Sequence, residues 1–301
     1  MRPRLRRTRI AIRRDRSPRS DDLKKYRARG IEFRMSAQVV FRHVSRFKLY
    51  YIAAVILALA IGLLTQLSIP KSVPPEPTSY NYEYERIDGA DGITLHVIRT
   101  KPEYIRLHKI DNNVTLTGIV GVNGGFFWEK QLLSIAVEDD VPVGGEAGSR
   151  GSGWFNAKYP RGTLVFDGET EAYSVQVVGD ASELAVTDRS HYWAQGGISM
   201  NLRDDAGWRA QAEREGIPVP DEWRLRSAMG YGEDGDAYLF VTDVRCTADA
   251  FRQAILRYAR EDSHRLVDAI FLDGDGSSQL LTRETSLRGD GRPVLQMVGI
   301  E

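Results

Sequence analysis

The chain has 301 residues, 41 Lys/Arg against 41 Asp/Glu, and one cysteine, Cys246. A lone cysteine excludes an internal disulfide framework and any multi-cysteine zinc site, so stability has to come from an ordinary apolar core. The net charge of zero conceals two opposed parts: residues 1–48 hold 17 Lys/Arg and 4 Asp/Glu, a head of net +13 followed by a body of net −13.

Within the head, RPRLRRTR and AIRRDR resemble arms that bind nucleic acid, but their place just ahead of an apolar run favours a juxtamembrane basic segment, and no nucleic-acid partner is expected. Met35 restarts a compact leader, MSAQVVFRHVSRFK, which leaves residues 1–34 as a disordered extension or a misassigned start. Residues 49–69 form 21 positions without a charge, long enough as a helix to cross a bilayer core of about 30 Å. The basic flank orients this segment with a cytoplasmic N-terminus and an extracytoplasmic body, periplasmic or at the cell surface. A cleaved signal peptide is the rival reading. Its apolar core is usually shorter, and TQLSIP lacks a small-x-small cleavage site, so an uncleaved anchor is expected. A proline-rich linker, residues 70–85, leads to a single domain over 86–301.

That domain reads as strands with few helices. ITLHVIR at 93–99 alternates apolar and polar residues as a half-buried strand does, and LTGIVGV at 116–122 is uniformly apolar and reads as central. LLSIAVEDDVPV, GTLVFDGETEAYSVQVV and SAMGYGEDGDAYLFVTDV have the rhythm of hairpins, turning at Glu-Asp-Asp, at Asp-Gly and at Glu233–Asp236. WRAQAEREG at 208–216 is a polar helix placed on the surface. TADAFRQAILRYAR at 247–260 is the strongest helix, with Thr247 as N-cap and Phe251, Ile255 and Tyr258 on one face. The fold class is α+β, a mixed α/β pattern without regular βαβ alternation.

Three turns share one construction, in which an apolar strand meets small residues beside a polar or charged one: NGGFF at 123–127, RSAMG at 226–230 and LDGDGSS at 272–278. In the last, a carboxylate, two glycines and two hydroxyls stand at the end of a buried strand, where polar groups need partners or a ligand. In this order the three resemble the motifs of the phosphodiester glycosidase family, over roughly residues 90–300. AQGGISMN at 194–201 and GYGEDGDAYLFVTD at 230–243 are similar to the segments flanking the arginine motif in that family. The chain departs from the pattern where Asp275 replaces the middle glycine of LDGGGSS, and where the segment after Asp243, VRCTADAF, is short.

The resemblance implies hydrolysis of a sugar-1-phosphodiester at the sugar C1–O bond, giving free sugar and a phosphomonoester. A phosphomonoester leaves readily, so one carboxylate and a phosphate clamp suffice where ordinary glycosidases use two carboxyl groups. Asp273 is the candidate carboxylate, Arg226 the clamp, and Asn123 a donor to sugar hydroxyls or to a water. Gly124, Gly125, Gly274 and Gly276 offer backbone N–H groups and Ser277 and Ser278 hydroxyls, while Gly197 and Asp243 complete the substrate-binding set. The bland readings are also open: Arg226 paired with Asp273 or Asp243 as a buried ion pair, Ser277 and Ser278 as caps, Trp128, Trp154 and Trp193 as core rather than sugar-stacking platforms, and His191 as structural rather than a proton-transfer group. Asp273, Asp275, Ser277 and Glu284 fall at positions 1, 3, 5 and 12 of a calcium loop, although Ser278 occupies the position of its turn glycine; Asp273, Asp275 and Glu284 are therefore candidate calcium ligands. The functional alternative is a non-catalytic glycan-binding or polysaccharide-assembly accessory of the cell envelope. Asp275 would favour it by filling the pocket.

Overall fold

The computed structural model describes residues 50–61, 77, 79–261 and 265–301. The basic head and the remainder of the apolar segment lie outside these residues. Residues 50–61 are a helix with exposed side chains, and no helix among the described residues is long and apolar enough to cross a membrane. The chain from Val73 onward is a separate compact unit, and the rest of this section concerns that unit.

It is strand-rich with two α-helices, and every strand pairing among the described residues is antiparallel. A six-stranded sheet runs in the order Tyr82–Asp88, Thr94–Thr100, Ala237–Thr242, Ser227–Gly232, Leu266–Phe271, Ile198–Ser199. One five-stranded sheet is built around Arg161–Asp167 and Tyr192–Gly196, and another around Val120–Asn123 and Val294–Ile300. The first strand begins inside the segment that reads as linker through residue 85.

The six-stranded sheet is packed on both faces, so Thr94–Thr100, whose alternation reads as a half-buried strand, is instead buried along nearly its whole length. Side chains still alternate. Ala228, Phe240, Ala269 and Phe271 face the helix Ala248–Glu261, which inserts Phe251, Ile255 and Tyr258, while Met229, Leu239, Val241 and Ile270 face Val122, Leu164 and Val298 of the other sheets. Thr247 caps that helix as its position predicts, its hydroxyl accepting from the Ala250 N–H at 3.1 Å. The three hairpins form as expected, with Asp139 and Asp140 of the first turn both at positive φ, 51° and 62°.

Two expectations need correction. The segment 116–122 becomes a strand only from Val120, because Asn113 caps a 3₁₀ turn, Val114–Leu116, that takes up its start. The polar helix, Trp208–Arg214, is not merely a surface element: Trp208 and Ala212 are buried in the core beside Phe271. Its many charges on the other face mask an apolar anchor made of one large residue and one small one.

Antiparallel register brings the end of Leu266–Phe271 and the start of Ser227–Gly232 to one edge of the sheet, with Ala228 opposite Phe271. The end of Val120–Asn123 approaches from the neighbouring sheet, where Gly124 lies so close to Gln296 that a Cβ would stand 1.5 Å from Oε1. Gly124→Ala therefore has to expel a buried, fully bonded side chain. We expect it to cost about 3 kcal/mol in urea denaturation, as overpacking and lost hydrogen bonds combine.

Candidate active site

A cavity of about 80 Å³ opens where these strand ends meet, between Phe126, Ile217–Val219 and the 224–227 and 271–275 segments. Its polar wall carries Arg224, Arg226, Asp273 and Asp275. The space accepts a group the size of a phosphate.

Asp273 leaves the buried strand just past Phe271, with its main-chain N–H donating to the Gly124 carbonyl at 3.2 Å. Its carboxylate accepts the Gly274 N–H at 3.0 Å and a hydrogen bond from Ser277, and both hold its pKa down. Burial outweighs them and pushes it up to about 6, from the ordinary range near 4. At neutral pH the group is a carboxylate whose basicity suits proton abstraction or attack.

Arg226 is buried, and its Nε and Nη2 donate only to backbone carbonyls: Cys246 at 3.3 Å, Val219 at 3.0 Å and Glu222 at 2.9 Å. Burial lowers its pKa, and among the described residues no carboxylate lies within ion-pair distance. It pairs with neither Asp273 nor Asp243. The side chain lines the cavity, and among the described residues Nη1 makes no hydrogen bond. A guanidinium fixed by carbonyls, with Asp275 and Glu222 only within longer electrostatic reach, has the chemistry to receive an anion.

Asn123 is placed at the same edge, but its side chain is committed to the protein. Nδ2 donates to the carbonyls of Asp273 at 2.8 Å and Gly124 at 3.2 Å, and Oδ1 accepts from Ser227 Oγ at 2.8 Å and the Gln279 N–H at 3.1 Å. It is the latch that joins the three motifs rather than a free donor. Asn123→Ala would strand a buried hydroxyl, an N–H and a carbonyl, and we expect a loss of about 3 kcal/mol in chemical denaturation together with a large fall in turnover.

The NGG turn is likewise internal. Gly124 N–H donates to the Gln296 carbonyl at 2.9 Å and Gly125 N–H to Gln296 Oε1 at 2.8 Å, so neither is available to hold developing charge. Gly197 N–H donates to the Gly162 carbonyl, and the backbone there passes against the carbonyl of Phe271. Gly276 abuts Asp290 and Arg292, and Gly274 lines the cavity. Ser277 serves Asp273, while Ser278 Oγ is buried without a hydrogen-bond partner. Asp243 faces the buried His96, 3.3 Å from its Nε2, and lies outside the cavity wall.

Asp275 adopts φ +55°, the left-handed backbone that favours glycine and that Asp tolerates better than most, which explains how an aspartate fits between Gly274 and Gly276. Its carboxylate is drawn to Arg224 Nη1 at 2.8 Å. Glu284 instead accepts from the Tyr82 hydroxyl at 3.0 Å. Among the described residues no three His, Cys, Asp or Glu side chains group as a metal site, Asp273, Asp275 and Glu284 included. Trp193 is core, its indole N–H donating to the Pro102 carbonyl at 3.2 Å, Trp154 packs on a core cluster, and Trp128 is exposed. None of the three, nor His191, lines this cavity.

Sequence reasoning missed Arg224, Phe126 and the Ile217–Val219 segment of the wall, and the two glutamines behind it. Gln296 interrupts the apolar run VLQMVGI and Gln279 directly precedes Leu280–Leu281, and a buried amide against such apolar neighbours is the available signal.

A family model described as phosphodiester glycosidase matches residues 117–301. No curated protein matches the chain. Among solved structures, the zebrafish N-acetylglucosamine-1-phosphodiester α-N-acetylglucosaminidase catalytic domain, auto-inhibited by its pro-peptide, is 13% identical with a TM-score of 0.47, over 76% of this chain and 86% of that one. A hypothetical protein from Synechocystis is 13% identical with a TM-score of 0.38, over 73% and 61%. A protein of Burkholderia pseudomallei described as exported is 12% identical with a TM-score of 0.31, over 77% and 63%. The family match takes in Asn123, Arg226 and Asp273 with the whole cavity edge, and on that match the chain belongs to the phosphodiester glycosidases, enzymes that hydrolyse phosphodiester-linked sugars.

Proposed function

We propose that this enzyme cleaves a sugar-1-phosphodiester at the sugar C1–O bond, that its body works outside the cytoplasm on an envelope glycan or exopolysaccharide, and that residues 49–69 anchor it to the membrane. The observation that carries the chemistry is the pairing in one cavity of Asp273, a carboxylate made more basic by burial, with Arg226, a buried guanidinium that has carbonyl partners only. Arg226 Nη1 holds the phosphate and takes up charge as the C1–O bond breaks. Asp273 acts on the sugar side, as base toward water or as nucleophile, and the phosphomonoester departs without a second carboxylic acid to protonate it. Asn123 and Ser277 keep the carboxylate in place. The anchor and the side of the membrane rest on the charge-free run and its basic flank.

The test is incubation with a panel of sugar-1-phosphodiesters, with and without EDTA, beside the Asp273→Asn variant. Release of free sugar and phosphomonoester in equal amounts, dependent on Asp273, supports the bond assignment. Release of a sugar phosphate with a free alcohol would place the cut on the other side of the phosphorus and overturn it.

A further inference from the structure

We propose that Asp275 sets the charge specificity of the cavity: by occupying Arg224 at its mouth, it leaves Arg226 to meet a singly charged phosphodiester and disfavours a doubly charged phosphomonoester. This rests on the proposed reading of Arg226 as the phosphate clamp. It goes beyond it in assigning selection and product release to a residue that stands where the family has glycine.

Glycine is the easier residue at φ +55°, so the aspartate is not there for the backbone. Its main-chain N–H donates to the Leu225 carbonyl at 2.8 Å, which holds the backbone against the 224–226 segment, and the residue lines the cavity. There Oδ2 accepts from Arg224 Nη1 at 2.8 Å, and Oδ1 lies 3.9 Å from Arg245 Nη1. Arg224 is also held by Glu222, through Nη2 at 2.6 Å and Nε at 3.1 Å. Its backbone is bridged to Cys246 in both directions, at 3.0 and 2.9 Å. Two basic side chains line the cavity; Arg224 is ion-paired with two carboxylates, whereas Arg226 makes no ion pair among the described residues and feels Asp275 and Glu222 only at longer range.

A diester carries one negative charge, which Arg226 matches. A monoester at neutral pH carries between one and two, its second proton leaving near pH 6. The extra charge would face Asp275 and Asp273 with no uncommitted cation on the wall, and like charges this close in a partly desolvated site repel strongly. The reaction converts the favoured charge state into the disfavoured one, so Asp275 also hastens release of the phosphomonoester.

The test compares the full-length protein with Asp275→Gly and Asp275→Asn, both compatible with the left-handed backbone, by calorimetric titration at pH 7.5 with inorganic phosphate and with dimethyl phosphate as the monoanionic diester. The expected result is a rise of about tenfold in the ratio of phosphate to dimethyl phosphate affinity in both variants, reversed in the double variant Asp275→Gly with Arg224→Gln. An unchanged ratio, or no phosphate binding by either variant, overturns the proposal. Turnover plays no part in this readout, so inactivity of the parent toward every diester would count against the proposed function while the affinity ratio still decides the role of Asp275.

Discussion

Asp273→Asn is expected to lower kcat by about 10³-fold or more while leaving diester affinity within a few-fold of the parent, as removal of a reacting carboxylate does. In the parent, activity should rise as pH passes through about 6, where burial places the Asp273 carboxyl, and then level off. The same substitution should stabilise the fold. Because the folded pKa lies above the unfolded value of about 3.9, the folded protein retains a proton between about pH 4 and 6 that the unfolded chain has released. The group's contribution to stability therefore falls as pH rises through that window and stays low above it. The neutral amide escapes this cost, so the variant should exceed the parent at pH 7.5 by on the order of 2 kcal/mol, with the gap closing at pH 4. Urea denaturation at both pH values, beside kinetics, checks it. A variant that lost activity and stability together would show Asp273 to be a structural residue.

Arg226→Lys is expected to raise KM for diesters by about 10²-fold with a smaller effect on kcat. Arg226 uses one part of its fork to hold the Cys246, Val219 and Glu222 carbonyls and offers the remaining nitrogen to the cavity. A lysine ammonium is a single point with three donors, so it serves the carbonyls or the phosphate but not both in one geometry. Arg226→Ala goes further: the Cys246 and Val219 carbonyls keep the Arg224 and Glu222 N–H groups, but the Glu222 carbonyl loses its partner, and we expect the variant to be less stable as well as inactive. Steady-state kinetics with one diester, compared with phosphate binding by the same variants, separates the clamp from the scaffold. Equal KM for Arg226→Lys and parent would remove Arg226 from the phosphate site.

How much of this was legible beforehand differs by residue. The hairpins and the helix Ala248–Glu261 followed from period, turn chemistry and capping, because local sequence dictates them. Asp273 was legible as a candidate because charge at the end of an apolar strand is costly unless used, and Arg226 through the resemblance of RSAMG to the arginine motif. What each group touches was not legible, since partners come from distant strands. The glycines of NGG read as free N–H donors, yet Gln296, on a strand far along the chain, takes both. Asn123 read as a ligand-facing amide and is instead saturated by Ser227, Gln279 and two carbonyls. Trp208 was hidden by the charges that share its helix.

The latch at Asn123 has a consequence for how activity is gained and lost. Its bonds to Ser227, Asp273 and Gln279 span 104, 150 and 156 positions of chain, so they close loops that no local segment can close alone. Arg226 and Asp273 are aligned by neighbouring strands of one sheet, and Asn123 ties that edge together only when the second sheet has docked. Partly folded chains are therefore catalytically silent, and heat inactivation should coincide with cooperative melting of the whole body rather than run ahead of it. Turnover then serves as a reporter of global foldedness, with little room for a loosened yet working intermediate.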